Sequence, residues 1–172
     1  MKVVLFAGYS NSGKTTALIE IVKALAKEGK KVGTVKHVGH PTLDVDPHGK
    51  DTWLHFNSGA SRVVAVSSQQ MVVFSRVVGS RVDIDELLNG MKQDGVDYVL
   101  VEGFFNELSK RRDVATVVCA KTKRDAVELL GIHRRPVFVC GRITARSASV
   151  ELGGVRVLKL PEDTRTALKL IG

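Results

Sequence analysis

The feature that most constrains this chain is a short glycine-bounded segment near its start. Gly8-Tyr9-Ser10-Asn11-Ser12-Gly13-Lys14-Thr15 satisfies G-x-x-x-x-G-K-[ST] at every fixed position. An apolar run, Lys2 to Ala7, precedes it and reads as a buried strand. From Thr15 to Lys27, Ala17, Leu18, Ile21, Leu25 and Ala26 fall on one helical face. Gly29 suits the position just past that helix, and Lys31 to Lys36 reads as the next strand. The order strand, glycine turn, helix, strand is a βαβ unit, which implies parallel strands. Glycines let the loop backbone curl so that its N–H groups, including those of Ser10, Asn11 and Ser12, converge on phosphate oxygens. Lys14 is then placed to reach the β/γ-phosphates and the Thr15 hydroxyl to bind Mg²⁺. The helix aims its positive end at the same anion. A chance match arises in under about 1% of chains this long. The dinucleotide fingerprint G-x-G-x-x-G is absent here.

The remaining elements extend the same pattern. A short helix is predicted over Asp51 to Ser58, and paired strands over Arg62 to Val66 and Met71 to Ser75. A helix follows from Ile84 to Met91, capped by Asp83. Apolar, non-alternating strands are predicted over Tyr98 to Val101, Val114 to Cys119 and Val137 to Cys140, with a helix near Arg124 to Leu130. A strand from Val155 to Leu160 and a helix from Glu162 to Ile171 close the chain. Such strands, buried on both faces and alternating with helices, indicate an α/β fold, P-loop NTPase-like, with a mostly parallel twisted sheet flanked by helices. With 172 residues the chain is read as one domain, residues 1–172.

Composition narrows the function. No apolar run approaches the ~20 residues of a membrane helix, and the first apolar run is too short for a signal peptide. A cytoplasmic protein is therefore expected, with no membrane partner. Cys119 and Cys140 lie in apolar runs and are expected to be buried thiols. The formal net charge is +8, which suits nucleic acid, a membrane surface or a small polyanion. The cations are scattered in short pairs such as Arg111-Arg112 and Arg134-Arg135, with no nucleic-acid module, so a solvated basic surface is the better reading.

Two further groups bear on a nucleotide. Asp97 to Gly103 is an apolar strand ending in Glu102, and a carboxylate at that end of a parallel strand faces the ligand crevice. Glu102 is a candidate for the Mg²⁺ shell or for orienting a water near the γ-phosphate; Asp97, at the far end, is structural. The segment His37 to Asp51 reads as a long, functional loop. In it Asp44 and Asp46, if extended, share one side and are either metal-facing or surface residues. His37, His40, His48 and His55 cluster around this loop without a metal-binding spacing.

Taken together, the P-loop, Lys36-His37 with His40, Asp44-Val45-Asp46, Gly49-Lys50-Asp51, Ser58-Gly59-Ala60 and Val101-Glu102-Gly103-Phe104 resemble the MobB family of molybdopterin-guanine dinucleotide biosynthesis adaptors. The resemblance covers residues 1 to 105 well and the remainder in length and element order. It implies a GTP-binding adaptor with weak GTPase activity, usually a homodimer, with GTP and Mg²⁺ as cofactors. The implied partner is the molybdopterin guanylyltransferase, with molybdopterin or molybdoenzymes as further partners. It assigns phosphate binding to Gly8, Gly13, Lys14, Thr15 and Thr16, and makes Asp44, Asp46 and Glu102 candidates for the Mg²⁺ side. Phe105 stands where the family often has a basic residue, and Pro47-His48 changes the approach to Gly49. For the base, Thr122-Lys123-Arg124-Asp125 is a partial match to N-K-x-D, giving Lys123 and Asp125 as base-binding candidates. A helix cap at Thr122 is the competing reading. The alternative functions are a small-molecule P-loop kinase, with one of the arginine pairs as a lid, and a nucleic-acid-stimulated NTPase.

Overall fold

The computed structural model describes residues 1–40, 43, 46, 48–77, 82–145 and 150–172. In chain order the elements are β1 (Lys2–Ala7), α1 (Lys14–Lys27), β2 (Val32–Lys36), α2 (Asp51–Asn57), β3 (Arg62–Val66), β4 (Met71–Ser75), α3 (Ile84–Gln93) and β5 (Tyr98–Glu102). There follow α4 (Phe105–Leu108), β6 (Val114–Cys119), α5 (Lys123–Ile132), β7 (Pro136–Cys140), a 3₁₀ turn (Arg142–Ala145), β8 (Glu151–Leu152), β9 (Val155–Arg156) and α6 (Thr164–Ile171). They gather into two compact units, Met1–His37 with Ile84–Gly172, and Val38–Asp83.

The first unit is built on a five-stranded sheet in the order β2-β5-β1-β6-β7. Every neighbouring pair is parallel. The strands are apolar without alternation because both faces are covered. Val4 and Phe6 of β1 pack with Ala17, Ile21 and Leu25 of α1 and with Ala167 and Ile171 of α6. Val3, Leu5 and Ala7 turn the other way, into a cluster with Ile84 and Leu88 of α3 and Leu108 of α4. Farther along the sheet, Val118 and Val139 pack with Ala126 and Leu129 of α5. Burial of the sheet centre is complete, with Val4, Leu100, Val117 and Phe138 inaccessible to water. This is the expected P-loop NTPase-like α/β architecture with helices on both sides of a parallel sheet.

Local details follow from single residues. Gly29 has φ +74° and sits just past α1, where a left-handed residue ends the helix. Asp97 is the structural carboxylate expected at the start of β5: it accepts from the Lys31 N–H at 2.8 Å, and its own N–H donates to the Lys31 carbonyl at 2.8 Å. This reciprocal pair sets the β2-β5 register. Cys119 and Cys140 are register partners on β6 and β7, buried as free thiols 3.6 Å apart.

The closing region differs from the expectation. Instead of one strand from Val155 to Leu160, a short antiparallel pair forms between β8 and β9. Its turn is Gly153-Gly154, both at positive φ (57° and 75°). Two successive left-handed residues make the tight hairpin that matches strand twist, so the chain folds back before reaching the sheet. Val157 then bridges to Val139 of β7, whose carbonyl accepts from the Leu158 N–H at 2.8 Å. The last helix begins at Thr164, two residues later than the Glu162 start.

The second unit holds α2 and the antiparallel β3-β4 pair, registered from Arg62↔Ser75 to Val66↔Met71. Arg76 organises it, with its guanidinium 4.4 Å from the Phe56 ring centre and its Nε donating to the Ala60 carbonyl at 3.2 Å. Val66 and Met71 at the hairpin tip are 74% and 68% exposed. No helix among the described residues is long and apolar enough to cross a membrane.

Candidate functional site

β1 ends at Ala7, and the chain must leave the sheet without collision. A Cβ on Gly8 would lie 2.2 Å from the Cys119 carbonyl oxygen and 2.6 Å from Ser12 Oγ, so glycine is required there. Asn11 (φ 59°) and Gly13 (φ 96°) supply the left-handed turns that curl the loop back toward α1. The Ser12 N–H donates to the Tyr9 carbonyl at 3.2 Å, which closes the curl. Lys14 Nζ arches back and donates to the carbonyls of Gly8 (2.9 Å) and Tyr9 (2.8 Å). Both of these acceptors are neutral carbonyls. Ser12 Oγ is buried with no partner among the described residues, an uncommon state for a hydroxyl in a folded interior.

Glu102 comes to this loop from the neighbouring strand. It is the register partner of Phe6 on one side and Lys36 on the other. Thr15 Oγ1 donates to Glu102 Oε2 at 3.0 Å. The chain after Glu102 is pinned to the end of β2. The His37 N–H donates to the Glu102 carbonyl at 2.8 Å, and the His37 ring meets Phe104 edge-on at 5.1 Å. Gly103 has φ +96°, and a Cβ on it would lie 2.4 Å from the His37 Cβ. The Lys36-His37 and Glu102-Gly103-Phe104 motifs are thus the two halves of one contact.

The result is an open cleft of about 520 Å³ lined by Ser10 through Thr16, Glu102 and Arg142. Backbone amides, four hydroxyl side chains, one carboxylate and two cations line it, a donor set suited to a phosphorylated ligand. A match to a sequence model of a known family covers residues 3–130 and carries the description "Molybdopterin guanine dinucleotide synthesis protein B". The chain belongs to the MobB family.

The match runs past residue 105, the limit of the motif resemblance, and into α5. Among individual relatives, the molybdopterin-guanine dinucleotide biosynthesis adapter protein of Escherichia coli is 32% identical over 67% of this chain and 63% of its own length. The protein of the same description from Haemophilus influenzae is 34% identical over 58% of this chain and 55% of its own. A Methanocaldococcus jannaschii relative is 33% identical over 77% of this chain and 53% of its own. The chain thus spans little more than half the length of these relatives. The crystal structure of Bacillus subtilis MobB superposes with a TM-score of 0.76 at 22% identity, covering 100% of this chain and 99% of that one. The MobB homologue from Bacillus stearothermophilus gives 0.70 at 24% identity, covering 99% and 98%. At these identities the structures show a common fold.

Within this MobB-family chain the other candidates fall elsewhere. Lys123 and Asp125 do not line the cleft. The Asp125 N–H donates to Thr122 Oγ1 at 3.1 Å, and its carboxylate accepts from the Lys121 N–H at 3.3 Å. Both bonds belong to the cap of α5, and the Thr122 contact holds the Asp125 carboxyl below its ordinary range. Tyr9 donates to Glu128 of α5 at 2.6 Å, and that bond raises the phenol above its ordinary value. Asp44 lies outside the described residues, and Asp46 belongs to the second unit. Among the described residues no cluster of three or more His, Cys, Asp or Glu could hold a metal.

The two arginine pairs do not form a lid. Arg134-Arg135 directly precedes β7 and Arg111-Arg112 lies one residue before β6, so both sit at the N-terminal edge of the sheet, away from the P-loop at its C-terminal edge. Arg111 is bonded to Asp85 at 2.5 Å and to Asp113 at 2.7 Å. Those bonds raise the guanidinium further and lower the Asp113 carboxyl.

Arg142 is the cleft residue that motif reading passed over. Its signal is positional: Gly141-Arg142 directly follows a buried strand, the same C-terminal edge that singles out Glu102.

Proposed function

We propose that this chain is a GTP-binding adaptor in molybdopterin-guanine dinucleotide biosynthesis, acting beside the guanylyltransferase that joins GMP to molybdopterin. The single observation that carries the nucleotide part is the P-loop with Lys14 arched over it and Thr15 bonded to Glu102. The loop fits a phosphate chain. Among the described residues Ser12 Oγ lacks a partner and no carboxylate pairs with Lys14, and α1 begins at the loop with its unpaired N–H groups. An incoming phosphate takes over from the Gly8 and Tyr9 carbonyls as acceptor for Lys14. The Thr15 hydroxyl and the Glu102 carboxylate are oxygen donors of the hard type that suits Mg²⁺. Bound Mg²⁺ would supply neutralisation of the β- and γ-phosphate charge.

Glu102 is the group that orients a water for slow hydrolysis. Exchanging Glu102 for Gln removes its charge while keeping its shape. Hydrolysis is expected to slow on the order of tenfold, below the 10²–10⁴ of a full general base, with nucleotide affinity changed less than about threefold. Single-turnover hydrolysis and equilibrium binding on one preparation decide this; equal losses in both would remove Glu102 from the chemistry.

GTP and the pathway role rest on the family resemblance and the relatives' descriptions. A cytoplasmic homodimer belongs to the same reading, and the exposed Val66 and Met71 at the hairpin of the second unit support a protein partner there. The deciding experiment is reconstitution with the cognate guanylyltransferase, molybdopterin and limiting GTP. Dinucleotide formation is expected to quicken when this protein is added, and to be nil with this protein and no transferase. Product without the transferase, or no binding and no rate effect with it, overturns the adaptor role.

A further inference from the structure

We propose that Arg142 is a second phosphate-binding cation of the cleft, gripping the polyphosphate chain of a nucleotide seated on the P-loop. This rests on the P-loop reading above and assigns a residue to it that lies beyond the motif. Arg142 opens the 3₁₀ turn after β7, two strands away from β1 in the sheet. Its backbone is tied to the phosphate loop itself: the Arg142 N–H donates to the Ser12 carbonyl at 3.0 Å. The preceding Gly141 lies so close that a Cβ on Gly13 would sit 3.3 Å from its Cα. On the other side, Ile143 is buried and its N–H donates to the Ala120 carbonyl at 2.9 Å. Thr144 closes the turn, its Oγ1 donating to the Gly141 carbonyl at 2.8 Å. The root of the Arg142 side chain is therefore held in fixed relation to the P-loop, while the side chain is exposed and lines the cleft.

Charge points the same way. Of the three ionisable side chains lining the cleft, Lys14 is occupied by the Gly8 and Tyr9 carbonyls and Glu102 by Thr15. Among the described residues no carboxylate pairs with Arg142, unlike Arg111 with its two aspartates. A guanidinium offers donors in a planar fork that matches phosphate oxygens two at a time. An unpaired fork rooted on the phosphate loop has a polyphosphate as its fitting ligand. The role is ground-state binding, separate from the water-orienting role of Glu102.

The test is titration calorimetry with Mg²⁺ and a non-hydrolysable GTP analogue, and separately with inorganic tripolyphosphate as a base-free probe. Wild type, Lys14→Ala, Arg142→Ala and Arg142→Lys are compared, with thermal melts as a folding control. Arg142→Ala is expected to weaken both ligands about tenfold to a hundredfold at an unchanged melting temperature. Its log Kd should also depend less steeply on log salt, because one charge has left the site. Arg142→Lys should recover part of the loss, since the charge stays and the fork goes. Affinities within about twofold of wild type for Arg142→Ala, beside a failed Lys14→Ala, overturn this assignment and leave the P-loop reading standing. A loss for the analogue alone moves Arg142 to the base or ribose and overturns it too. An unchanged salt slope, with Lys as damaging as Ala, reduces Arg142 to a loop-packing residue. If neither Lys14→Ala nor Arg142→Ala affects either ligand, the underlying P-loop reading fails.

Discussion

Lys14→Ala is expected to abolish tight nucleotide binding while leaving the fold in place. The ammonium group donates to two loop carbonyls in the free protein, and a bound phosphate would receive the same donors as charge-assisted bonds. Such bonds contribute about 1.5–3 kcal/mol each, so losing two weakens binding on the order of 10²-fold to 10⁴-fold. Structure depends little on this side chain. α1 is anchored by Ala17, Ile21 and Leu25, all buried, and the loop by Gly8 and Gly13. Stability should therefore move by less than about 1 kcal/mol. Titration calorimetry with a GTP analogue and Mg²⁺, beside a thermal melt, separates the two effects. Unchanged affinity would end the phosphate role of Lys14; a lost melting transition would mean that the lysine holds the loop and does not simply serve the ligand.

The parallel strands were legible because doubly covered strands need continuous apolar runs, and β1 and β6 fall on their predicted bounds; the antiparallel β3-β4 pair falls on its predicted bounds too, as two β-branched runs either side of a short polar turn. Glu102 was legible because strand direction alone places a C-terminal carboxylate at the crevice. Asp97 and Lys31 were harder to link: only tertiary pairing brings a loop N–H from before β2 to a carboxylate 66 positions later. The interlock of Gly103 with His37 was hidden for the same reason, although both motifs were visible. Thr122-Lys123-Arg124-Asp125 could be read as a base site or as a helix cap, and its hydrogen bonds are those of the cap. Gly153-Gly154 carried a turn signal inside the closing segment, and that turn replaces a sheet strand with a hairpin. Arg142 had no motif at all, since its closeness to Ser12 is a product of β6 and β7 lying side by side.

Gly141→Ala is expected to be strongly damaging for a methyl-sized change. Gly141 holds φ +94°, and a Cβ there would stand 2.3 Å from the Ser12 carbonyl oxygen and 3.1 Å from that of Ala120. Both neighbours are backbone, one in the phosphate loop and one at the end of β6, so neither moves without moving its element. The left-handed conformation alone costs an alanine about 1–2 kcal/mol. With the displaced backbone added, a loss on the order of 3 kcal/mol is expected, which for a chain of this size lowers Tm by about 6–12 °C. Because Ser12 must shift, nucleotide affinity should fall in the same variant even where most molecules remain folded. Gly90→Ala is the matched control. Gly90 lies inside α3 with open space around its missing side chain, and alanine there should raise stability by up to about 1 kcal/mol without touching binding. Thermal melts and analogue titrations on the two variants give the comparison. A Gly141→Ala protein that melts and binds like wild type would show that the turn after β7 is free of the phosphate loop, and the backbone tie that holds Arg142 at the cleft would go with it.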